Sequence, residues 1–296
     1  MTGPVVVGID GSPAGTTAAW WAAREAVTRG RPLLLLHSWS TQPLDVPPAR
    51  EALGRQRHGG RLLQRAETEL LRRYPGLRLT TELTSTPASE ALLDLGGLAE
   101  LLVLGSRGHG STASFLLGST SLYVLGRARC PAVVVRAGDP AVEDGSGRPA
   151  AAEPGEVVVG VKETGPAADP LLEFAFTAAD SRRARVRAVR ALPPFGTVSP
   201  LHAMAAGHAD SHHEAEEHAR LAAALAPWRE KFPHVLVVEQ VTAGPATAVL
   251  LYAAEHSRLT VLGRERNPSH LTWKLGPVTH AALHHMPCPV AVVPHD

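Results

Sequence analysis

Between Gly105 and Ser121 the chain sets small residues at a spacing suited to holding an anion. The stretch reads Gly105-Ser-Arg-Gly108, nine residues, then Gly118-Ser119-Thr120-Ser121. Glycine lacks a Cβ and tolerates positive φ, so a ligand can approach the main chain closely at Gly105 and Gly108. Consecutive amides in such a loop form an anion-binding concavity. Gly118 to Ser121 add amides and hydroxyls close to the next helix, and a helix N-terminus favours a phosphate. Near the start of the chain, Val5-Val-Val-Gly8-Ile9-Asp10 ends in a carboxylate suited to a ribose hydroxyl or an adenine edge. Taken singly, each glycine could serve only a turn and Asp10 only a cap.

The same pattern returns 158 residues later in altered form. Gly105 matches Gly263, Gly118 matches Gly276, Cys130-Pro131 matches Cys288-Pro289, and Tyr74-Pro75 matches Phe232-Pro233. Toward the N-terminus the offset is 152, with Gly8 matching Gly160. The second copy therefore gains six residues between its first strand and Phe232. A period this long marks a duplicated domain rather than a solenoid. The copies differ where chemistry is at stake. Lys162 stands for Asp10, Arg266 for Gly108, and Pro277 for Ser119.

The elements that must position these residues follow from the apolar pattern. Val5–Ile9 and the runs 33–36, 101–104 and 132–135 are short and continuous, as in strands buried on both faces. Ser12 is placed to cap a helix that Pro13 opens. Residues 48–74 read as a longer helix, 77–83 as an edge strand, 87–95 as a short helix, and 115–127 as another. The second copy repeats this order, with strands near 157–161, 186–191, 235–241, 259–262 and 290–293. Alternating strands and helices argue for a parallel sheet covered on both faces. In such a sheet, ligands bind beyond the carboxyl ends of strands where the strand order reverses, which brings Asp10 and Gly105 to one crevice. A nucleotide lying across that edge, base near Asp10 and phosphates in the glycine loop, is the physical reading. Residues 138–155 form a linker by composition, dividing the chain into domains 1–137 and 156–296.

Bulk properties exclude other classes. Across 296 residues the net charge is +1, with 29 Lys+Arg against 28 Asp+Glu. That offers no concentrated positive field for nucleic acid or a membrane surface. Met1 leads almost at once into a strand, and no apolar run approaches the ~20 residues a membrane span requires. The expectation is a cytoplasmic protein with Cys130 and Cys288 as buried thiols.

These residues carry a resemblance. The pattern Gly105-x2-Gly108-x9-Gly118-Ser119 is similar to the ATP-binding motif of the universal stress protein family. Val-Gly-Ile-Asp-Gly-Ser-Pro at 7–13, Leu-Leu-His-Ser-Trp at 35–39 and Leu-Gly-Ser-Arg-Gly at 104–108 resemble the same family. The likeness covers nearly the whole chain as two tandem copies. It implies an α/β fold of two open-sheet domains, each a five-stranded parallel sheet in the order 3-2-1-4-5 with helices on both faces. It also implies pairing of domains through the last strand, as an internal pseudo-dimer, with homodimers of whole chains a further option. By position, Gly8, Asp10 and Ser38 would take the adenosine side. Gly105, Gly108, Gly118, Ser119, Thr120 and Ser121 would take phosphate and ribose. The implied ligand is ATP or AMP, with Mg2+. Ser38 departs from the apolar residue usual at its place.

The expected function is a nucleotide-dependent stress-response and signalling module that binds in the first domain only and acts on an unknown protein partner. Two other readings stand beside it: a nucleotide-free interaction module, and a slow ATP hydrolase. Arg107 and His109 could approach phosphates, yet no carboxylate–histidine pair or lysine marks a hydrolytic centre, so no catalytic residue is assigned. Gly108-His-Gly110-Ser-Thr-Ala113 matches a dinucleotide fingerprint, but it sits late in the domain and lacks the acidic residue about 20 positions on. No Gly-x4-Gly-Lys-Ser/Thr is present, which disfavours a P-loop enzyme. His208 and His212 would share a helix face within a histidine-rich stretch from 202 to 218, with no close cysteine to support a metal. In the second copy, Lys162 and Arg266 are placed to fill the crevice or to take a different anion.

Overall fold

The computed structural model describes residues 3–40, 49–106, 117–144, 148, 150, 155–193, 200–266 and 275–296, with backbone alone at 49 and 200–211. The first half runs β1 (Val5–Gly8), α1 (Pro13–Arg29), β2 (Leu33–Ser38), α2 (Ala49–Arg73), β3 (Leu79–Thr84), α3 (Ala88–Gly96), β4 (Leu101–Gly105), α4 (Ser119–Leu125) and β5 (Ala132–Val135). The second runs β6 (Glu156–Gly160), α5 (Asp169–Arg182), β7 (Arg185–Leu192), α6 (Pro200–Lys231), β8 (Val237–Ala243), α7 (Ala246–Ala253), β9 (Ser257–Glu265), α8 (Pro277–His285) and β10 (Val290–His295).

The strands join in one sheet, ordered β3-β2-β1-β4-β5-β10-β9-β6-β7-β8. Each half therefore has the order 3-2-1-4-5, parallel throughout, as the resemblance implies. The halves meet through their last strands, β5 and β10, which pair antiparallel with Val133 opposite Ala291. That pairing closes two edges that would otherwise present unpaired main chain. The central strands are buried on both faces, which is why their sequences read as unbroken Val and Leu rather than alternating.

One face is covered by α1, α2, α5 and α6, through Trp21, Leu63, Phe176 and Leu225 among others. The opposite face is covered by α3, α4, α7 and α8, through Leu92, Leu125, Leu250 and Leu283. The two halves also touch above the sheet, where α1 meets α5. Glu25, 2% exposed, pairs with Arg29 of its own helix and with Arg182 of α5. Arg29 lies over the Phe174 ring at 5.2 Å and Arg182 over Trp21 at 5.6 Å.

The start of the 138–155 stretch is packed. Ala141 and Val142 are buried. Arg24 of α1 donates to the Ala141 carbonyl at 3.0 Å, and the Thr17 hydroxyl donates to Glu143. Glycine, proline and charge are the composition of a linker, but two apolar residues here are enough to seat the chain on α1.

Candidate functional site

β1 and β4 are neighbours, with Val7 opposite Val103, so the turns after them open on one crevice at the reversal of strand order. Ser12 caps α1 by accepting the Gly15 amide at 3.0 Å, with Pro13 at the first helical position. Asp10 stands just before this cap and is exposed. Its Oδ1 accepts the Ser12 amide at 2.9 Å, an Asx turn that fixes the carboxylate at the mouth of the crevice. Oδ2 has no hydrogen bond among the described residues.

Gly105 ends β4 beneath the first turn of α1. A Cβ there would stand 2.8 Å from the Ala14 carbonyl and 2.9 Å from the Gly15 amide nitrogen. The missing side chain is therefore required by α1 itself, a packing reason that stands apart from any ligand. Gly8 has a similar role on a smaller scale, since its Cβ would meet Leu92 at 3.4 Å.

Gly118 is the N-cap of α4, extended at φ −64° and ψ 150°, with no side-chain cap. The first-turn amides of a helix have no partner within it. Here those amides belong to Ser119, Thr120 and Ser121. Ser119 and Thr120 are exposed, and each carries a hydroxyl in addition to its amide. Ser121 is buried, and its hydroxyl donates to the Gly105 carbonyl at 3.2 Å, locking α4 to the end of β4. Thus Asp10, Gly105 and Gly118–Ser121 come together around one strand-end opening. Gly108, Arg107 and His109 lie outside the described residues.

Ser38 sits at the end of β2, half-buried, with its hydroxyl donating to the Thr86 carbonyl at 2.7 Å and the Ser40 carbonyl also within reach at 3.1 Å. Its hydroxyl pins the turn that leads into α3 and is not a free donor. Beside it, Trp39 and α2 residues Gly54, Arg55 and His58 border an open groove of about 550 Å³. His37 was not singled out from sequence. Its Nδ1 lies 2.8 Å from the Ile9 carbonyl, and Gly59 of α2 faces the ring, where a Cβ would come within 2.5 Å. The signal was a lone polar ring closing an apolar strand.

The second half keeps the frame and changes the donors. Thr279 repeats Ser121, donating to the Gly263 carbonyl at 3.3 Å. Pro277 takes the first position of α8, where it offers neither amide nor hydroxyl. Lys162 is 80% exposed and lies 3.1 Å from Glu163 and 3.5 Å from Glu265. Its hydrogen bond to Glu163 raises its pKa. Arg266 pairs with Asp296 at 3.1 Å. Neither cation fills the crevice, which remains open at about 810 Å³.

Cys130 and Cys288 are free and buried, and burial pushes both thiols up to about 11, so they are neutral and inert. Among the described residues no three metal-ligating side chains cluster. His202 and His208 lie in α6, but their side chains fall outside the described residues. Among the described residues no helix is long and apolar enough to cross a membrane.

Comparison with known proteins agrees with this architecture. The family model described as "Universal stress protein family" matches residues 1–136 and 155–294. A universal stress protein of Mycolicibacterium smegmatis is 29% identical over 296 residues, covering 98% of this chain and 96% of that protein. A universal stress protein of Mycobacterium tuberculosis strain H37Rv is 30% identical over 295 residues, covering 97% and 96%. Among solved structures, a universal stress protein from Archaeoglobus fulgidus superposes with a TM-score of 0.64 at 13% identity, covering 100% of both chains.

Proposed function

The chain belongs to the universal stress protein family, and from that premise we propose that its first domain (1–137) binds an adenine nucleotide while its second (156–296) does not. ATP or AMP with Mg2+ is the ligand the residues fit. The observation that carries the reading is the contrast at one helix start. Ser119 and Thr120, exposed residues that each carry an amide and a hydroxyl, open α4 in the first half, where Pro277 offers neither group in the second. Phosphate oxygens need such donors close at hand. The carboxylate of Asp10, held by Ser12, would accept from ribose or adenine. Gly108 would bring the main chain against phosphate. Gly8, Gly105, Ser38 and Ser121 support the site as packing and tethering residues.

Binding of this kind acts by shifting the balance of shapes or the affinity for a partner, which requires that the partner distinguish bound from free protein. No hydrolytic step is assigned. The two neutral, buried thiols suit a reducing cytoplasm.

Calorimetric titration of ATP and AMP, with magnesium, into the whole protein tests the reading beside a Gly118→Val variant. The expected result is one nucleotide per chain, abolished in the variant. Two per chain would overturn the assignment of a silent second half, and none would leave an interaction module without nucleotide.

A further inference from the structure

Among the described residues, none fills the second crevice. It opens at the carboxyl ends of β6, β7 and β9 and is walled by α5, α6, α7 and α8, with a volume of about 810 Å³. That lies in the range of small-molecule pockets, which are mostly apolar with few polar groups. Its walls are contributed by Leu171, Val189, Leu192, Leu250, Leu262 and Val278, from five elements.

The polar groups at its border are already matched to one another. Glu217, 3% exposed, accepts from Arg190 and from Arg220. A second Arg190 nitrogen donates to the Lys162 carbonyl at 2.7 Å. Lys162 lies between Glu163 and Glu265, and Thr279 is committed to Gly263. The charged side chains that line the crevice are three cations, Lys162, Arg190 and Arg264, and three carboxylates, Glu163, Glu217 and Glu265, so they balance; Arg220, outside the lining, also faces Glu216. A phosphate entering here would meet two rim carboxylates and the amide-free Pro277. A ligand without charge would disturb none of these pairs and would remove apolar wall from water.

We propose that the crevice of the second domain is a binding site for an uncharged, largely apolar small molecule of up to nucleoside size, independent of the nucleotide site. Nile red, a neutral dye that fluoresces in apolar surroundings, is the probe. The whole protein is titrated with the dye, beside Ala167→Trp and Ala246→Trp, which place bulk at two half-buried wall positions on different segments. Ala248→Trp, on the exposed side of α7, is the control. The expected result is saturable binding of one dye per chain, weakened at least tenfold in both wall variants, unchanged in the control, and not displaced by saturating ATP with magnesium. Dye should also raise the thermal midpoint of the wild type and the control but not of the wall variants, which shows that the variants are folded and their site is closed. Absence of dye binding, binding indifferent to both wall variants, or displacement by ATP would each overturn the proposal. Calorimetry of ATP on the same variants reads the first domain separately, so failure of the nucleotide assignment is distinguishable from failure here.

Discussion

Arg264 of β9 reaches from the second half into the first and donates to the carbonyl of Gly126, at 3.3 Å, just past the last turn of α4. Its other terminal nitrogen donates to the Ala128 carbonyl. The residue is 6% exposed, and burial lowers the pKa of its guanidinium. Cations are favourable at a helix C-terminus, and two carbonyls with no other donor among the described residues are costly to bury. Arg264 takes the place that Ser106 holds in the first half, so the contact runs one way. Arg264→Met should therefore lower stability by about 1–3 kcal/mol, because it orphans those carbonyls. Urea unfolding of the whole protein, read as a lower midpoint at unchanged slope, is the check. An unchanged midpoint would mean that water replaces the guanidinium.

Two glycines of the same motif should separate by mechanism. At Gly105 a Cβ would meet main chain of Ala14 and Gly15, atoms that cannot swing aside. Gly105→Ala should cost about 1–3 kcal/mol by overpacking and should displace the Ser12 cap. Gly118 is extended, in a conformation open to any residue. Gly118→Val should leave the unfolding midpoint within about 0.5 kcal/mol of the wild type while removing nucleotide binding. A Gly118→Val protein that unfolds early would make that glycine structural and void it as a probe of the site.

Much of this frame could be read from residue order. Continuous Val and Leu runs gave the strands, Ser12-Pro13 the start of α1, and the 158-residue offset the duplication. The gathering of Asp10, Gly105 and Gly118–Ser121 at one opening followed from parallel-sheet topology. What sequence could not carry was the use to which each polar atom is put. A serine reads the same whether its hydroxyl is free, as the exposed Ser119, or tied to main chain, as Ser38 and Ser121 are. Lys162 and Arg266 read as crevice cations, yet carboxylates from distant positions, Glu265 and Asp296, draw them into pairs. Arg264 was silent because its partners lie 136 and 138 residues away in the other half.

Two buried carboxylates should bend stability in opposite directions with pH. Burial alone would raise the pKa of Glu25, but the charges of Arg182 and Arg29 hold it below the ordinary range. Its contribution is therefore present above that range and is lost as pH falls through the depressed value. Removing it leaves Arg182 and Arg29 buried together, so Glu25→Ala should cost about 3–5 kcal/mol at neutral pH, and much less in acid. Asp139 is the reverse case. Burial pushes its pKa up to about 6 from 3.8, and its Oδ2 has no partner among the described residues. The folded protein holds that proton more tightly, so stability falls as pH rises from about 4 to 6. Asp139→Asn should flatten that slope and stabilise the protein by up to about 3 kcal/mol at pH 7.5, roughly two pKa units. Urea midpoints across this window test both variants. A slope in the Asp139→Asn protein equal to that of the wild type would place the titration elsewhere.

The hydrogen bond that ties each fourth helix to its strand allows structure and binding to be told apart. Ser121 donates to Gly105 O at 3.2 Å in one half and Thr279 to Gly263 O at 3.3 Å in the other. Both hydroxyls are buried and both carbonyls belong to the C-terminal part of a central strand, so Ser121→Ala and Thr279→Ala should each cost about 1 kcal/mol. Only α4 starts with two exposed residues that carry both amide and hydroxyl; α8 starts with Pro277 and Val278. Loosening α4 lets Ser119 and Thr120 drift from the positions in which they would meet phosphate, and catalytic or binding geometry tolerates little such drift. ATP affinity should therefore fall several-fold in Ser121→Ala and stay at the wild-type value in Thr279→Ala, measured by calorimetry on whole chains of matched stability. Equal losses in the two variants would mean that nucleotide senses global stability rather than the seating of α4, and the first-half site would lose its structural basis.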